Sequence, residues 1–177
     1  MRTILFIISA IFFISCGKDA AQKKQSTTKS KLSIVEKHQV TESLEKLSTE
    51  KVIDWKEYNA LQAHLNQFSS ISAHEALNNA LVLAKLVKQL KDSIRPTELL
   101  NPSFRTRVNV LENEALRLKD MTFLLNAIKA QEVNLQVDKI LEAFSATNSK
   151  INSIYTQLEI DKEILIKETT GIKQEDF

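Results

Sequence analysis

Glycine and proline are nearly missing from this chain, and that scarcity constrains its fold more than any other feature. The sequence contains 2 glycines and 2 prolines in 177 residues. Sheet proteins need these residues at their frequent turns, whereas helices do without them over long stretches. Leucine, lysine, glutamate and alanine are abundant and favour helices. The sequence therefore predicts an all-α protein, built as an elongated antiparallel helical bundle.

The same scarcity excludes several kinds of active site. A phosphate-binding glycine-rich loop, a dinucleotide-binding fingerprint and a Gly-x-Ser-x-Gly elbow all need glycine where the backbone approaches the ligand. Gly17 and Gly171 lie near the two ends of the chain and belong to none of these motifs. We therefore expect none of these three chemistries.

Apolar residues at helical spacing, separated by polar or proline-containing breaks, predict five helices in a domain spanning residues 32–168. Asp54 is the expected N-cap of the second helix, and Ser72 with Glu75 matches a capping box before the third. Asn101 followed by Pro102 predicts the start of the fourth. The expected bounds are about 32–47, 54–68, 73–94, 102–128 and 133–166.

Two apolar stripes with alternating spacings of three and four lie between Pro102 and Ile166, and this spacing predicts coiled-coil-like packing. The stripes differ in phase by one residue, which turns the apolar face by about 100°. The chain therefore either folds back near Lys129–Glu132 or continues as one long helix that needs a partner chain. We favour the hairpin, because it lets each stripe cover the other. Candidate partner-packing residues on the stripes are Phe104, Val108, Leu111, Ile140, Phe144 and Ile151.

The N-terminus has the pattern of an export signal. Arg2 precedes an apolar segment, Ile4–Ile14, and the chain's single cysteine, Cys16, follows Ser15. A segment of this length suits a secretory signal, whereas a membrane-spanning helix needs about 20 apolar residues. The tetrapeptide Phe13-Ile14-Ser15-Cys16 resembles the lipobox of bacterial lipoproteins, in which the cysteine is acylated.

The resemblance implies that residues 1–15 are a cleaved signal peptide and that Cys16 becomes the lipidated first residue of the mature chain. Two alternatives stay open: an ordinary cleaved signal that leaves a free thiol, and an uncleaved apolar anchor. Two or more acyl chains, such as palmitate, give stable membrane anchoring. We therefore expect the protein at the bacterial cell membrane or outer membrane, with its body in the periplasm or at the cell surface.

A lysine-rich stretch follows the cysteine. Residues 17–31 contain five lysines, one aspartate and no large apolar residue. Together with Cys16 they predict a flexible tether, residues 16–31, with a root-mean-square reach of about 20–23 Å. Its lysines either bind anionic lipid headgroups or belong to a solvated spacer. At the other end of the chain, residues 169–177 are expected to form a frayed tail.

The titratable residues predict no catalytic or metal site. His38, His64 and His74 lie on three separate segments, and no pair has the i, i+4 spacing of metal ligands on a helix. The Ser-x-x-Lys tetrapeptides at residues 43–46 and 48–51 lack the companion Lys-Thr-Gly motif that an acylated serine needs. We therefore predict a protein that is not an enzyme and that has no cofactor.

A formal net charge of +2 is close to balanced and argues against nucleic acid as a partner. We therefore expect a membrane-anchored lipoprotein of the bacterial envelope that acts as a helical protein-interaction or scaffold module. Its partners would be membrane lipid, through Cys16, and an envelope protein, with self-association as a further option. The alternative function is a periplasmic sensor or carrier that holds a small ligand or metal between its helices.

Overall fold

A computed structural model describes residues 31–39, 41–124 and 127–169 of the chain. The predicted signal peptide, Cys16, most of the tether and nearly all of the tail therefore lie outside the described residues. The described part contains five α-helices and two short strands. The helices are α1 (Lys46–Val52), α2 (Lys56–Asn66), α3 (Ala73–Asp92), α4 (Pro102–Met121) and α5 (Ala130–Thr169), and the strands are β1 (Val35–Lys37) and β2 (Ser70–Ser72).

Helices α2 to α5 form an antiparallel bundle, which confirms the all-α prediction. Helix α3 packs between α2 and α4, and α5 packs along α4. Lys91 of α3 forms an ion pair with Glu112 of α4 at 2.6 Å. Gln136 of α5 donates from Nε2 to the backbone oxygen of Glu114 at 2.9 Å. These side-chain contacts fix the register between neighbouring helices.

The chain folds back between α4 and α5, so the hairpin is confirmed and one continuous helix is excluded. Helix α4 ends at Met121, a single 3-10 turn covers Thr122–Leu124, and α5 begins at Ala130. The turn falls earlier than the expected fold-back at 129–132. The Thr122 hydroxyl donates to the backbone oxygen of Lys119 at 2.7 Å, which satisfies a carbonyl at the end of α4.

Two of the three expected helix starts are confirmed. The Ser72 side chain accepts from the backbone N–H of Glu75 at 3.3 Å, and the Glu75 carboxylate accepts from the backbone N–H of Ser72 at 3.0 Å. These reciprocal bonds are the capping box of α3. The Asn101 side chain accepts from the backbone N–H of Phe104 at 2.9 Å, with Pro102 in the first turn of α4.

The expected cap of the second helix is wrong, and so is the polar break before it. Residues 48–51 belong to α1, and Ser48 is buried. Helix α2 begins at Lys56, with Trp55 rather than Asp54 at its N-cap position. The Trp55 ring is buried against Tyr58 and Phe104, so packing of this ring positions the start of the helix.

The first expected helix, residues 32–47, is also wrong. Residues 31–33 form one 3-10 turn, and β1 pairs antiparallel with β2 so that Val35 lies opposite Ser72. The described residues that follow β1 stay extended along α5 until α1 begins at Lys46. The apolar stripe of this segment is weak, since Val35 is exposed and Leu44 only half-buried. Side chains of α5 bind its backbone and replace the bonds that a helix would supply.

A single hydrophobic core runs through the bundle. Trp55, Tyr58 and Phe144 form an aromatic group within it, with centroid distances of 5.7 Å for Trp55–Tyr58 and 5.9 Å for Tyr58–Phe144. This group joins α2 to α5, because Phe144 lies in the middle of α5. The last buried residue of α5 is Tyr155. Residues 156–169 of α5 therefore continue beyond the core.

Candidate functional site

The segment between β1 and α1 is held along α5 by hydrogen bonds; we call its residues 38–39 and 41–45 the strap. The Ser145 hydroxyl accepts from the backbone N–H of Thr41 at 3.1 Å. The Asn152 side chain donates to the backbone oxygen of Ser43 at 2.9 Å and accepts from the backbone N–H of Glu45 at 3.0 Å. Two α5 side chains therefore hold strap backbone groups by hydrogen bonds, and Leu44 of the strap also packs against the core.

Asn148 connects the strap to the interior of the bundle. It is buried, and its side chain donates to the backbone oxygen of Glu42 at 3.0 Å. Its side-chain oxygen, Oδ1, accepts from the Tyr58 hydroxyl at 2.8 Å. Burial raises the pKa of Tyr58, so this hydroxyl stays protonated and available as a donor. One asparagine thus joins the strap, α2 and α5.

A histidine–carboxylate pair lies at the start of the strap. The His38 side chain is 2% exposed, and its Nδ1 lies 2.7 Å from a carboxylate oxygen of Asp138, which is 56% exposed. Both residues line a surface pocket of about 470 Å³ together with Lys37, Thr41 and Glu142. The His38 Nε2 is buried and has no hydrogen-bond partner within the described part of the chain. The carboxylate orients the imidazole ring, as in many structural and catalytic histidine pairs.

The three histidines lie in different environments. His64 packs against the Phe68 ring, and desolvation by burial lowers its pKa. His74 is exposed at the start of α3 and contacts Asn78 at 3.2 Å. Across residues 31–39, 41–124 and 127–169, no three His, Cys, Asp or Glu side chains come together as a candidate metal site.

The candidate partner-packing residues all lie in the core of the bundle. Each is at most 2% exposed and belongs to the same hydrophobic cluster. The ring centroid of Phe104 on α4 lies 6.2 Å from that of Trp55, and the ring centroid of Phe144 on α5 lies 5.9 Å from that of Tyr58. A partner cannot reach them while the bundle is folded, so a binding surface must be sought elsewhere. These residues are Phe104, Val108, Leu111, Ile140, Phe144 and Ile151.

The last part of α5, residues 156–169, extends past the core; we call it the overhang. None of its residues is buried. It exposes five large apolar side chains, of which Leu158 is 43% and Leu165 is 63% exposed. These two continue the seven-residue spacing from the buried Ile151, so the apolar stripe of α5 runs on after the bundle has ended. The other three are Ile160, Ile164 and Ile166.

The polar side of the overhang is acidic. It carries four acidic residues and two lysines, a formal charge of −2, whereas the whole chain has a formal charge of +2. Within it, Lys162 pairs with Glu159 at 3.7 Å, and Gln157 donates to Asp161 at 2.8 Å. The overhang therefore combines an uncovered apolar stripe with a negative field. Sequence spacing alone could have located this surface, but only the structure shows where the core ends.

Cys16, the predicted lipidation residue, lies outside the described residues. In the part of the chain that the structure describes, no helix has the length and hydropathy needed to cross a bilayer. Comparisons with protein-family models, with curated proteins and with solved structures gave no match.

Proposed function

We propose that this protein is a lipid-anchored, non-enzymatic interaction module of the bacterial envelope, which binds a protein partner through the overhang of α5. The single observation that supports this function is the overhang itself. Residues 156–169 form a helix of about 21 Å beyond the core, and Leu158 and Leu165 on it are 43% and 63% exposed. An exposed apolar surface of this kind is typical of an interaction site.

The energetics of a short helix favour a partner for the overhang. An isolated helix of fewer than about 12–15 residues is only marginally stable in water. The overhang gains support from the helix before it, but its own apolar side chains contribute little until another surface covers them. Burying Leu158 and Leu165 against a partner would contribute about 1.5–3 kcal/mol for each fully covered side chain.

The charge of the overhang selects the chemistry of the partner. Helices that lie on membranes are rich in lysine and arginine, whereas the overhang carries a net charge of −2. Two copies of the overhang would also repel each other. We therefore infer that the partner supplies an amphipathic helix with an apolar stripe flanked by lysine or arginine, because opposite charges at the rim favour the encounter.

The anchor in this proposal is the acylated Cys16. A single acyl chain gives marginal binding to a membrane, while two or more give stable anchoring. The first described residue, Lys31, lies 15 positions after Cys16, a stretch that spans at most about 54 Å. The body would thus work close to the bilayer that holds the lipid.

The anchor is tested with the variant Cys16→Ala. We expect the wild-type protein to float with membranes in a density gradient and the variant to stay at the bottom. Intact mass spectrometry of the wild type should give a chain that begins at Cys16 with added acyl mass. A wild-type mass without acyl chains, or a variant that still floats, would remove lipidation from the proposal.

The partner surface is tested by photocrosslinking in the bacterium that makes the protein. A photoreactive residue at position 165 should capture one protein, at a basic amphipathic helix that peptide mapping can identify. The same residue at position 82 is the control, because Val82 is also exposed but lies on α3. Leu158→Ser with Leu165→Ser should abolish the product without lowering the unfolding temperature. Capture of a second copy of this chain, or equal capture at position 82, would contradict the proposal.

One observation favours a second candidate function, ligand-responsive sensing. The pocket beside His38 has a volume of about 470 Å³, and the buried Nε2 of His38 has no partner among the described residues. A bound molecule that reaches this nitrogen would stabilise the native state, because it binds only the folded chain. Thermal unfolding with divalent metals and small metabolites tests this function. A rise in melting temperature that is lost in His38→Phe would support it.

A further inference from the structure

The chain that leads to the proposed lipid anchor leaves the bundle at one particular end. The first described turn, Lys31–Ser33, contacts α3 and leads into β1, which pairs with β2. Strand β2 ends at Ser72, directly before α3 begins. Lys31, the last residue of the predicted tether, therefore lies at the end of the bundle that carries the start of α3.

The turn between α4 and α5 lies at this same end. Helices α3 and α4 have 20 residues each and pack antiparallel, so the end of α4 lies beside the start of α3. The 3-10 turn Thr122–Leu124, which we call the tip turn, contacts α3 as well. The opposite end is marked by the ion pair between Arg95 and Glu57, and the overhang projects beyond it.

The tip turn exposes apolar side chains for which the fold gives no reason. Phe123 is 80% exposed and Leu124 is 58% exposed, while their neighbours Met121 and Ile128 pack against the core. On the first described residues at this end, Ile34 and Val35 are also exposed. Aromatic and aliphatic residues grouped at one end of a bundle suit the apolar part of a bilayer interface.

The charge at this end decides whether a membrane would be bound by electrostatic or by apolar attraction. Four lysines and four acidic residues lie there, so the local formal charge is balanced. An anionic headgroup surface would therefore gain little from this end, and apolar insertion must supply the attraction. The lysines are Lys31, Lys37, Lys119 and Lys129, and the acids are Glu36, Glu75, Asp120 and Glu132.

We propose that the tip turn inserts Phe123 and Leu124 into the interface of the same bilayer that holds the acylated Cys16. This inference rests on the proposed lipid anchor and deepens it, because it fixes which end of the bundle faces the membrane. The overhang then points away from the bilayer, toward the envelope protein that it binds. The occupant follows from where the tether enters the bundle, since the anchor keeps this end within about 54 Å of the lipid.

A fluorescence experiment on the mature lipoprotein tests the orientation. Cys16 is the only cysteine, and its acylated sulfur does not react with thiol probes, so Ala127→Cys adds a single labelling site beside the tip turn. The protein is labelled with an environment-sensitive dye and placed in vesicles of phosphatidylethanolamine and phosphatidylglycerol. We expect a blue-shifted emission and loss of most fluorescence when nitroxide-labelled lipids are included.

The controls separate the tip turn from the rest of the bundle. A dye at Ile53→Cys, an exposed position between α1 and α2 at the opposite end, should keep a water-like emission without quenching. In the Ala127→Cys protein, Phe123→Ser with Leu124→Ser should abolish the blue shift, whereas Leu81→Ser with Val82→Ser on α3 should leave it unchanged.

The outcomes also distinguish this inference from the anchor on which it rests. If the wild-type protein takes up the thiol probe at Cys16 and fails to float with vesicles, the lipid anchor is wrong and the inference falls with it. If the protein floats but the dye at position 127 emits as in water, the anchor stands and the insertion of the tip turn is overturned. If only the dye at position 53 were quenched, the opposite end of the bundle would face the bilayer and the proposal would be overturned.

Discussion

Three polar side chains on one face of α5 hold the strap in place by hydrogen bonds. Ser145, Asn148 and Asn152 are all buried, and each binds a backbone group of the strap. Buried polar side chains reduce stability unless they are hydrogen-bonded, and these three are satisfied. The strap and α5 are therefore specific to each other in register, because a shift of one residue would break every bond.

Asn148 tests this interpretation most directly. Asn148→Ala removes the acceptor of the Tyr58 hydroxyl and the donor to Glu42, and it leaves the hydroxyl buried without its partner. Each unsatisfied buried group costs about 1–3 kcal/mol, so we expect a loss of about 2–4 kcal/mol in the free energy of unfolding. Urea unfolding followed by circular dichroism measures it. Ser149→Ala, at the exposed neighbour, is the control, and an equal loss in both variants would contradict the role of Asn148.

The capping box gives a pH prediction. The side-chain and backbone hydrogen bonds from Ser72 lower the pKa of Glu75 below its ordinary value of 4.5. Because the folded-state pKa is the lower one, the stabilisation is present above about pH 4.5 and is lost as the pH falls through the folded-state pKa. Glu75→Gln keeps an acceptor but does not titrate. The stability difference between wild type and Glu75→Gln should therefore shrink between pH 6 and pH 2. A constant difference would show that the carboxylate charge does not contribute.

Sequence patterns predicted some residues well and missed others for a physical reason. Caps such as Ser72 and Asn101 bind groups three residues away, so their role is visible in the sequence. In the sequence, Asn148 is only a polar residue beside an apolar stripe. Its strap partner, Glu42, lies 106 residues away, and no local pattern reports such a contact.

At the scale of elements, the difference between local patterns and distant contacts also explains which helices were predicted correctly and which one was not. Helices α3, α4 and α5 carry long apolar stripes, and their existence followed from spacing alone. The expected helix at 32–47 failed because its weak stripe could not compete with β2 and α5, which bind its backbone. The phase shift between the stripes of α4 and α5 indicated the hairpin, although the turn lies between Met121 and Ala130.

The overhang gives a prediction for one element. Ending the chain after Gln157 removes most of the overhang but no buried residue, since Tyr155 is the last buried residue of α5. We expect the urea midpoint of the truncated chain to match that of the full chain, because the core is intact. Capture of the protein partner should be lost at the same time.

A matched truncation controls this experiment. Ending the chain after Ser149 also removes Ile151, Asn152 and Tyr155, which are buried. That chain should be strongly destabilised, because it loses core side chains and the α5 contacts of the strap. If the truncation after Gln157 were equally destabilising, the overhang would be a structural part of the bundle rather than a surface for a partner.

At the scale of the whole molecule, one end of the bundle is proposed to contact the bilayer and the other to bind the protein partner. Lys31 and the tip turn lie at one end, and the overhang projects from the other. Thirty-five residues of α5 separate Ala130 from Leu165, a length of about 52 Å. A molecule seated on its tip turn would therefore hold the partner surface about 50 Å from the bilayer, well beyond the lipid headgroups.

The distance between the bilayer and the overhang should not depend on the length of the tether. If the tip turn is seated in the bilayer, its contact and not the tether sets the distance of the overhang from the membrane. Insertion of ten Gly and Ser residues after Lys24 should therefore leave energy transfer from a dye at Leu165→Cys to labelled headgroups unchanged. In the Phe123→Ser, Leu124→Ser background the same insertion should reduce the transfer, because only the tether then limits the distance. A decrease with the longer tether in the unsubstituted protein would show that the body hangs free of the membrane.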